Sequence, residues 1–503
     1  MEIKVTQQEA EQLMLETPTT ANLRHWSKEY SAEPHLAGDL AHATRIRDLW
    51  RSYGIPTELE QYDVLQNFPV SQSLQLLDSD GEVAFEASLT EDEVPEDPTS
   101  SPKNGLPAFH GFSANGEACA ELVYANFGEL RDFELLESKG ISVKGKIVIC
   151  KYAKVFRGLK VRAAEQYGAA AVVLYNDPQE DGQYTEANGY KSFPHGPARH
   201  PKSIQRGSVD FFSIAVGDPT TPGYPSLPGN DVERQDPGHA TPKIPSLPIS
   251  YADAVPFLKA LNGQGLSPFS TGGEGSDWKG CLADIDYFTG PSKVRVSLAN
   301  HDLNVDEATN GGQVLGVTGS PLLASVLRDV TQLIRSPIHE GKTVYDDWLG
   351  DQRRTDPGRP TPVLDLMGTG SDYTVFFNHL GIPSVDLLFN RQGQGVYPYH
   401  SNYDSFYWVE KFGDVGFKKH LAMAQLWGLL TVRLAGTGSI LFEAVEYPKI
   451  FAPGLWYGYD GVIFPGVVEC MEAEDMKGAI EWIAKIVEAI EKVTRLLLIN
   501  TGV

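Results

Sequence analysis

Two short apolar runs constrain the fold of this chain more than any other feature. Residues 145–152 (GKIVICKY) and 168–175 (GAAAVVLY) are apolar without alternation, which is typical of strands buried on both faces. Residues 160–167, which lie between them, have the length of a short helix. The order strand, helix, strand predicts a small βαβ-like unit inside an α/β fold.

The rest of the chain divides into regions with different sequence patterns. At 503 residues it is too long for one simple core, so two or three domains are expected. Short strands broken by Pro and Gly fill residues 66–293, and helix and strand patterns return after residue 294. The expected elements outside the central region are helices that begin near Thr19 and near Ser320, a strand-like run at 57–65, a helix at 375–380, a strand at 382–389, a helix at 415–434 and an amphipathic helix at 478–498.

Charge and hydropathy exclude some partners. The formal net charge of -24 argues against nucleic acid or an anionic membrane surface as a partner, although it also serves solubility alone. No apolar run reaches the roughly 18 residues of a membrane helix. The N-terminal run is polar and acidic, unlike a signal peptide. These features predict a soluble chain and leave its compartment open.

Several collinear runs carry a resemblance to one family. They extend over nearly the whole sequence: PHLAG at 34–38, YDVL at 62–65, residues 144–178, IQRGSV at 204–209, residues 217–226, 244–254 and 367–386, YPYHSNYDSFYWVEKF at 397–412, and FPGVVE at 464–469. On these runs the chain resembles the zinc exopeptidases of the glutamate carboxypeptidase and transferrin receptor family.

The resemblance implies a domain plan. Residues 1–65 would begin an aminopeptidase-like, three-layer α/β/α peptidase domain. Residues 66–293 would be an apical insertion that contains a protease-associated domain, and residues 294–436 the remainder of the peptidase domain. Residues 437–503 would be a remnant of a transferrin-receptor-like helical dimerisation domain, which implies a homodimer through this region.

The family's chemistry implies a pair of zinc ions, a bridging carboxylate and a Glu as general base, acting on peptide substrates. Two ligand positions are matched: Asp306, at the end of LNVD, and His400. Tyr399 matches a Tyr that stabilises the oxyanion. The competing interpretation of each is an ordinary polar or half-buried residue of a vestigial site.

The remaining pieces are missing. The sequence has no His-x-Asp and no Glu-Glu dipeptide, where the family needs both. Residues 296–300 resemble the strand that closes the apical insertion, whereas residues 303–306 resemble a strand several βα units later. Only His301 and Asp302 join them. A second discontinuity lies near residues 442–447. The sequence therefore predicts a deletion in the metal-binding core.

Two further residues match substrate-binding positions. Arg157 matches an Arg that binds the substrate's terminal carboxylate, a task suited to a guanidinium, with a surface Arg as the alternative. Tyr459 matches a Tyr that contacts the same carboxylate, although Gly458 replaces the Lys before it. Asp386 and Leu388 stand where the glutamate-specific branch has Arg, and Ser371 stands in place of an Asn.

Three functions remain open at this stage. The chain is a metallopeptidase homologue that is inactive as written and binds no stoichiometric zinc, or an active zinc carboxypeptidase or dipeptidase with substitute ligands, or a non-catalytic binding protein like the transferrin receptors. Relatives are often membrane-anchored in the secretory pathway. The natural substrate is not specified by the sequence.

Overall fold

The computed structural model describes residues 5–33, 39–101, 105–215, 217–229, 232–272, 277–301, 314–391, 395–436, 451–453, 461–463 and, near the C-terminus, 468, 470–471, 475–485 and 487. The run at 34–38, the predicted strand at 303–306 with Asp306, the discontinuity at 442–447, Gly458, Tyr459 and most of the expected dimerisation remnant lie outside these residues.

The largest element is a seven-stranded mixed sheet with strand order β2-β1-β7-β3-β4-β5-β6. Strand β7 is antiparallel to both of its neighbours, and β3 to β6 are mutually parallel. The strands are β1 (Ser71–Leu77), β2 (Val83–Glu86), β3 (Gly116–Tyr124), β4 (Ile147–Lys151), β5 (Ala171–Tyr175), β6 (Ser246–Ile249) and β7 (Arg295–His301).

The predicted βαβ unit lies at the centre of this sheet. Strands β4 and β5 pair in parallel, with Val148 opposite Val172, and every residue of both strands is buried. The connecting helix runs from Arg157 to Gln166, three residues earlier than expected at its start. The prediction of two strands covered on both faces is confirmed, because helices and loops enclose the sheet.

Eleven helices accompany the strands in the described part of the chain. Their bounds are α1 (Gln7–Glu16), α2 (Thr20–Tyr30), α3 (Leu40–Ser52), α4 (Leu130–Ser138), α5 (Arg157–Gln166), α6 (Tyr251–Lys259), α7 (Pro268–Gly272), α8 (Ala324–Leu333), α9 (Val344–Gln352), α10 (Phe406–Trp408) and α11 (Lys418–Gly436). Thr19 caps α2 by accepting a hydrogen bond from the Asn22 N–H, as predicted.

The strand predicted at 57–65 is an exception. This segment is extended but joins no strand ladder. Its backbone bonds instead to the loop around residue 220: the Asp63 N–H donates to the Ser226 carbonyl and the Leu65 N–H to the Asp218 carboxylate, each at 2.8 Å. An extended backbone needs partners for its polar groups, and here a loop supplies them in place of a neighbouring strand.

A second, smaller core follows residue 314. Strands β8 (Val314–Gly319) and β9 (Val385–Arg391) pair antiparallel, and α8, α9 and α11 pack against them around Leu327, Trp348 and Leu429. The helix expected from Ser320-Pro321 begins as a short 3₁₀ turn and continues as α8. The helix expected at 375–380 is a π-helical turn, Val375–His379. The fold is thus mixed α/β, as predicted.

The C-terminal residues leave apolar side chains exposed. The described part of the predicted helix at 478–498 is helical, and Ile480, Ile483 and Val487 are 62%, 49% and 49% exposed. Their spacing puts them on one helical face. A short antiparallel pair precedes this helix, β10 (Phe451–Pro453) with β11 (Gly461–Ile463). No helix among the described residues is long and apolar enough to cross a membrane.

Candidate functional site

Arg157, the expected substrate-binding residue, is the first residue of α5. It is buried, with 3% of its surface exposed, so it is not a surface Arg. Its guanidinium lies against Gly207, where an added Cβ would fall 2.1 Å from Nη2. Gly207 has a φ of +112°, which glycine adopts without the penalty other residues incur. The glycine therefore makes the room that the guanidinium occupies.

His400, the expected late zinc ligand, has a φ of +59°, in the left-handed region that is uncommon for residues other than glycine. Its Nδ1 lies 3.0 Å from the carbonyl oxygen of Arg206. A carbonyl only accepts, so Nδ1 carries a proton, and in the neutral form of the imidazole Nε2 is the nitrogen with the lone pair. The imidazole also stacks on Tyr399, with ring centroids 4.1 Å apart and planes inclined by 17°.

The dipeptide Arg206-Gly207 therefore brings two of the expected residues, Arg157 and His400, into one region. Arg206 binds His400 through its carbonyl, and the next residue, Gly207, receives Arg157. Both belong to the IQRGSV run at 204–209. The backbone N–H of Arg206 also donates to the carbonyl of His400 at 3.3 Å, so the two segments exchange hydrogen bonds in both directions.

Arg206 also forms a buried ion pair whose partner the sequence analysis missed. Its Nη1 lies 2.9 Å from Oε2 of Glu91, and the two residues are 6% and 3% exposed. The Glu91 carboxylate further accepts hydrogen bonds from the Ser401 hydroxyl and from the backbone N–H groups of Ile204 and Asn402. Four donors thus satisfy a carboxylate that burial would otherwise destabilise. Glu91 has no local pattern that identifies it.

Aromatic packing extends the same contact, which we call the seam and define as residues 191–209 packed against residues 395–412, together with Glu91 between them. Phe193 lies with its ring centroid 5.3 Å from that of Tyr403, and His200 lies 4.7 Å from the same ring. The Val396 N–H donates to the Pro197 carbonyl at 2.8 Å. The seam therefore combines an apolar cluster with the buried ion pair.

A buried series of hydrogen-bonded side chains contacts the residue before this dipeptide, Gln205. The Tyr152 hydroxyl donates to the Gln205 carbonyl at 2.6 Å and lies 2.7 Å from Nε2 of His110, whose Nδ1 lies 3.0 Å from the Ser246 hydroxyl. Burial, with the positive charge of Arg157, lowers the pKa of His110 well below its ordinary value, and burial raises that of Tyr152. Both groups are neutral near pH 7, so these hydrogen-bonded side chains add no charge to this region.

The donor set can be tested against the zinc that the resemblance implies. An imidazole that donates Nδ1–H to a carbonyl presents Nε2 as a metal ligand would, so His400 fits one coordination position. Within the described ranges, however, no group of three His, Cys, Asp or Glu side chains could hold a metal ion, and the Glu91 carboxylate is engaged by four donors. The described residues do not fit a zinc centre. Asp306 lies outside them.

The positions expected to read a glutamate side chain carry no positive charge. Asp386 and Leu388 lie in β9 opposite Thr318 and Gly316, and burial raises the pKa of Asp386. Ser371 is exposed, and its carbonyl accepts a hydrogen bond from the Thr374 hydroxyl.

Known families match two parts of the chain. Residues 101–206 match the PA domain, and residues 449–498 match the transferrin receptor-like dimerisation domain. The first match begins in the loop before β3 and ends at Arg206, so it contains Arg157 and the parallel strands β4 and β5. The second covers the exposed apolar face at Ile480, Ile483 and Val487.

Several relatives match most of the chain, and by name they are peptidases and one sorting protein. A probable glutamate carboxypeptidase of Arthroderma benhamiae is 34% identical over 535 residues, which cover 87% of this chain and 73% of that protein. Vacuolar protein sorting-associated protein 70 of Saccharomyces cerevisiae is 31% identical, over 80% and 60% of the two chains. Aminopeptidase NAALADL1 of Rattus norvegicus is 26% identical, over 85% and 72%.

Solved structures add a distant likeness. A peptidase M28 precursor from Shewanella amazonensis superimposes with a TM-score of 0.37 and 11% identity, over 85% of this chain and 96% of that one. A zinc aminopeptidase from Bacillus subtilis gives a TM-score of 0.34 and 15% identity, over 91% and 99%.

Proposed function

This chain belongs to the glutamate carboxypeptidase family of peptidases, and we propose that, in the form its sequence gives, it does not hydrolyse peptides. The observation that carries the proposal is the missing ligand set: the sequence holds neither a His-x-Asp nor a Glu-Glu dipeptide. Metal-assisted hydrolysis needs several protein ligands for the metal and a general base for the water. Asp306 and His400 would supply only one ligand for each metal, and neither is the general base.

The alignment with the Arthroderma protein supports a deletion. It runs over 535 residues, more than the 503 of this chain, yet it uses only 87% of them. Many positions of the relative therefore stand opposite gaps in this chain. We place one such gap between residues 302 and 303, where a run that resembles a strand of the apical insertion meets a run that resembles a later strand of the peptidase domain.

We assign inherited rather than working roles to the matched residues. Asp306 and His400 descend from zinc ligands, Tyr399 from the oxyanion-binding Tyr, and Arg157 and Tyr459 from residues that bind the substrate carboxylate. Two contacts support a structural role at the seam for Arg157 and His400. Arg157 is buried against Gly207, and His400 is hydrogen-bonded to the carbonyl of Arg206. The domain boundaries at 65, 293 and 436 are part of the same proposal.

A non-catalytic binding protein is the second candidate, and one observation favours it. Residues 449–498 match a dimerisation domain named for the transferrin receptors, and the described part of that region exposes an apolar helical face. Under this proposal the chain forms a homodimer through residues 437–503 and binds a partner without cleaving it.

Metal content and turnover test the proposal together. We expect zinc analysis of the purified full chain, after mild dialysis, to find far less than one zinc ion per chain, and the His400→Ala variant to give the same value. Hydrolysis of acidic dipeptides and of aminoacyl anilides should stay at the level of buffer, with zinc added or omitted.

Two zinc ions per chain that are lost in the His400→Ala variant would contradict the proposal and establish substitute ligands. Turnover that a chelator abolishes and added zinc restores would have the same meaning. A chain in which the missing segment has been restored from a full-length relative is the positive control, because it returns the ligands and the base together.

A further inference from the structure

Residues 335–343 form a compact loop between α8 and α9, far in sequence from the seam. Arg335 and Thr343 pair as an isolated antiparallel bridge that closes the base of the loop. Inside it, the Ser336 N–H donates to the Lys342 carbonyl at 2.9 Å, and the Ser336 hydroxyl accepts from the His339 N–H at 2.7 Å. Compact loops with adjacent ends are often functional. These hydrogen bonds set the loop's conformation without a ligand.

A buried carboxylate orients the imidazole that the loop presents. Asp347, in α9, is 8% exposed, and its Oδ1 lies 2.7 Å from Nδ1 of His339. Its other oxygen accepts the Ser336 hydroxyl. Because the carboxylate accepts, Nδ1 is the protonated nitrogen of a neutral His339. The imidazole remains 55% exposed and lines a groove.

The groove lies between α1, this loop and the beginning of α11, and it has a volume of about 1390 Å³. Its lining combines apolar side chains with cations. Leu15, Leu333 and Leu421 are among the apolar residues. The cations are Arg335, Lys342 and Lys418.

The charge of this lining is unusual for the chain. Across the part of the chain that the structure describes, none of the three groove cations takes part in an ion pair or a side-chain hydrogen bond. Glu16 and Glu340 also line the groove, and the Asp347 carboxylate contacts His339 at its wall. The three cations without an ion-pair partner among the described residues, rather than a net excess of charge, therefore distinguish this groove in a protein whose net charge is -24. Three such cations around one groove attract an anion to that groove.

We propose that this groove binds a ligand with an apolar body and a carboxylate or phosphate end. The leucines receive the body, and Arg335, Lys342 and Lys418 attract the charged end. Sites that combine apolar side chains with placed polar groups are typical of small-ligand binding. The proposal is independent of peptidase activity and of zinc.

Calorimetry on the full chain tests the proposal with four probes: decanoate, decyl phosphate, decanol and inorganic phosphate. The variant is Lys342→Glu with Lys418→Glu, two positions at helix N-termini where an acidic residue is compatible with folding. The matched control is Lys293→Glu with Lys243→Glu, which makes the same charge change at exposed positions elsewhere. Circular dichroism confirms that both variants are folded.

We expect decanoate or decyl phosphate to bind at least about tenfold more tightly than decanol or inorganic phosphate, and the comparison of the two anions identifies the preferred head group. The groove variant should weaken that binding by about tenfold or more, and the control should leave it unchanged. The proposal would be overturned if decanol bound as tightly as the two amphipathic anions, or if inorganic phosphate bound as tightly as they do. It would also be overturned if the groove variant bound them as tightly as the parent.

Discussion

Replacing Glu91 with glutamine should destabilise the protein, because it removes the counter-charge of a buried Arg at the seam. Glutamine keeps the volume of the side chain but removes its charge. Its amide N–H₂ group also replaces an oxygen that accepted hydrogen bonds, so it faces donors with which it cannot pair. Arg206, at 6% exposure, then remains buried without its counter-charge. Removal of one partner from a buried pair typically costs about 3–5 kcal/mol. Because glutamine retains one acceptor oxygen, we expect the lower end, about 3 kcal/mol.

The assay is thermal and urea unfolding of the full chain beside a matched control. Glu93 is two residues away and exposed, so Glu93→Gln makes the same chemical change outside the seam and should stay within about 0.5 kcal/mol of the parent. For a unit of 150–250 residues, about 3 kcal/mol corresponds to a Tm lower by roughly 6–12 °C.

A double-mutant cycle separates the ion pair from other effects of the change. Arg206→Met removes the charge that Glu91→Gln leaves unpaired, so the double variant should be more stable than the sum of the single losses predicts, by about 1–3 kcal/mol. Equal melting of Glu91→Gln and Glu93→Gln, or additive losses in the cycle, would refute the conclusion that a buried pair holds the seam together.

Two further predictions concern the protease-associated region. Burial raises the pKa of Asp132 from 3.8 to about 6. Between these two values the folded state binds more protons than the unfolded state, so the contribution of Asp132 to stability falls as pH rises from about 4 to 6. In urea unfolding, the parent should lose up to about 3 kcal/mol over that range relative to the Asp132→Asn variant. Equal pH profiles would contradict this. Gly207→Ala should cost about 3 kcal/mol because its Cβ meets the Arg157 guanidinium, whereas Gly217→Ala, also at positive φ but with open space around it, should cost only about 1 kcal/mol. Similar losses in both would show that backbone strain alone decides.

The zinc analysis and the groove titration above complete the set, and they fail independently. Zinc content and turnover report on the seam side of the molecule and on the missing ligands. Binding of amphipathic anions reports on α1, α11 and the 335–343 loop, which lie outside the residues matched to catalysis. A chain that binds zinc can therefore still have the anion site, and the reverse holds as well.

The sequence by itself determined the elements whose signals are local. Continuous apolar runs predicted β4 and β5 because a strand covered on both faces needs apolar residues at every position. Thr19 predicted the start of α2 because a helix N-terminus needs an acceptor for its N–H groups. The absence of His-x-Asp and of Glu-Glu can also be read directly from the order of residues. The deletion that this absence predicts, given the family resemblance, stays a prediction.

The tertiary structure decided which distant residues meet. Glu91 has no local pattern, and only folding places it beside Arg206, Ser401 and Asn402. The run at 57–65 looks like a strand, yet a ladder requires a neighbouring strand, and a loop supplies its hydrogen bonds instead. Local propensity describes what a segment can form, whereas the desolvation of buried charges and the pairing of backbone groups depend on partners far away in the chain. Those partners are fixed only when the whole chain has packed.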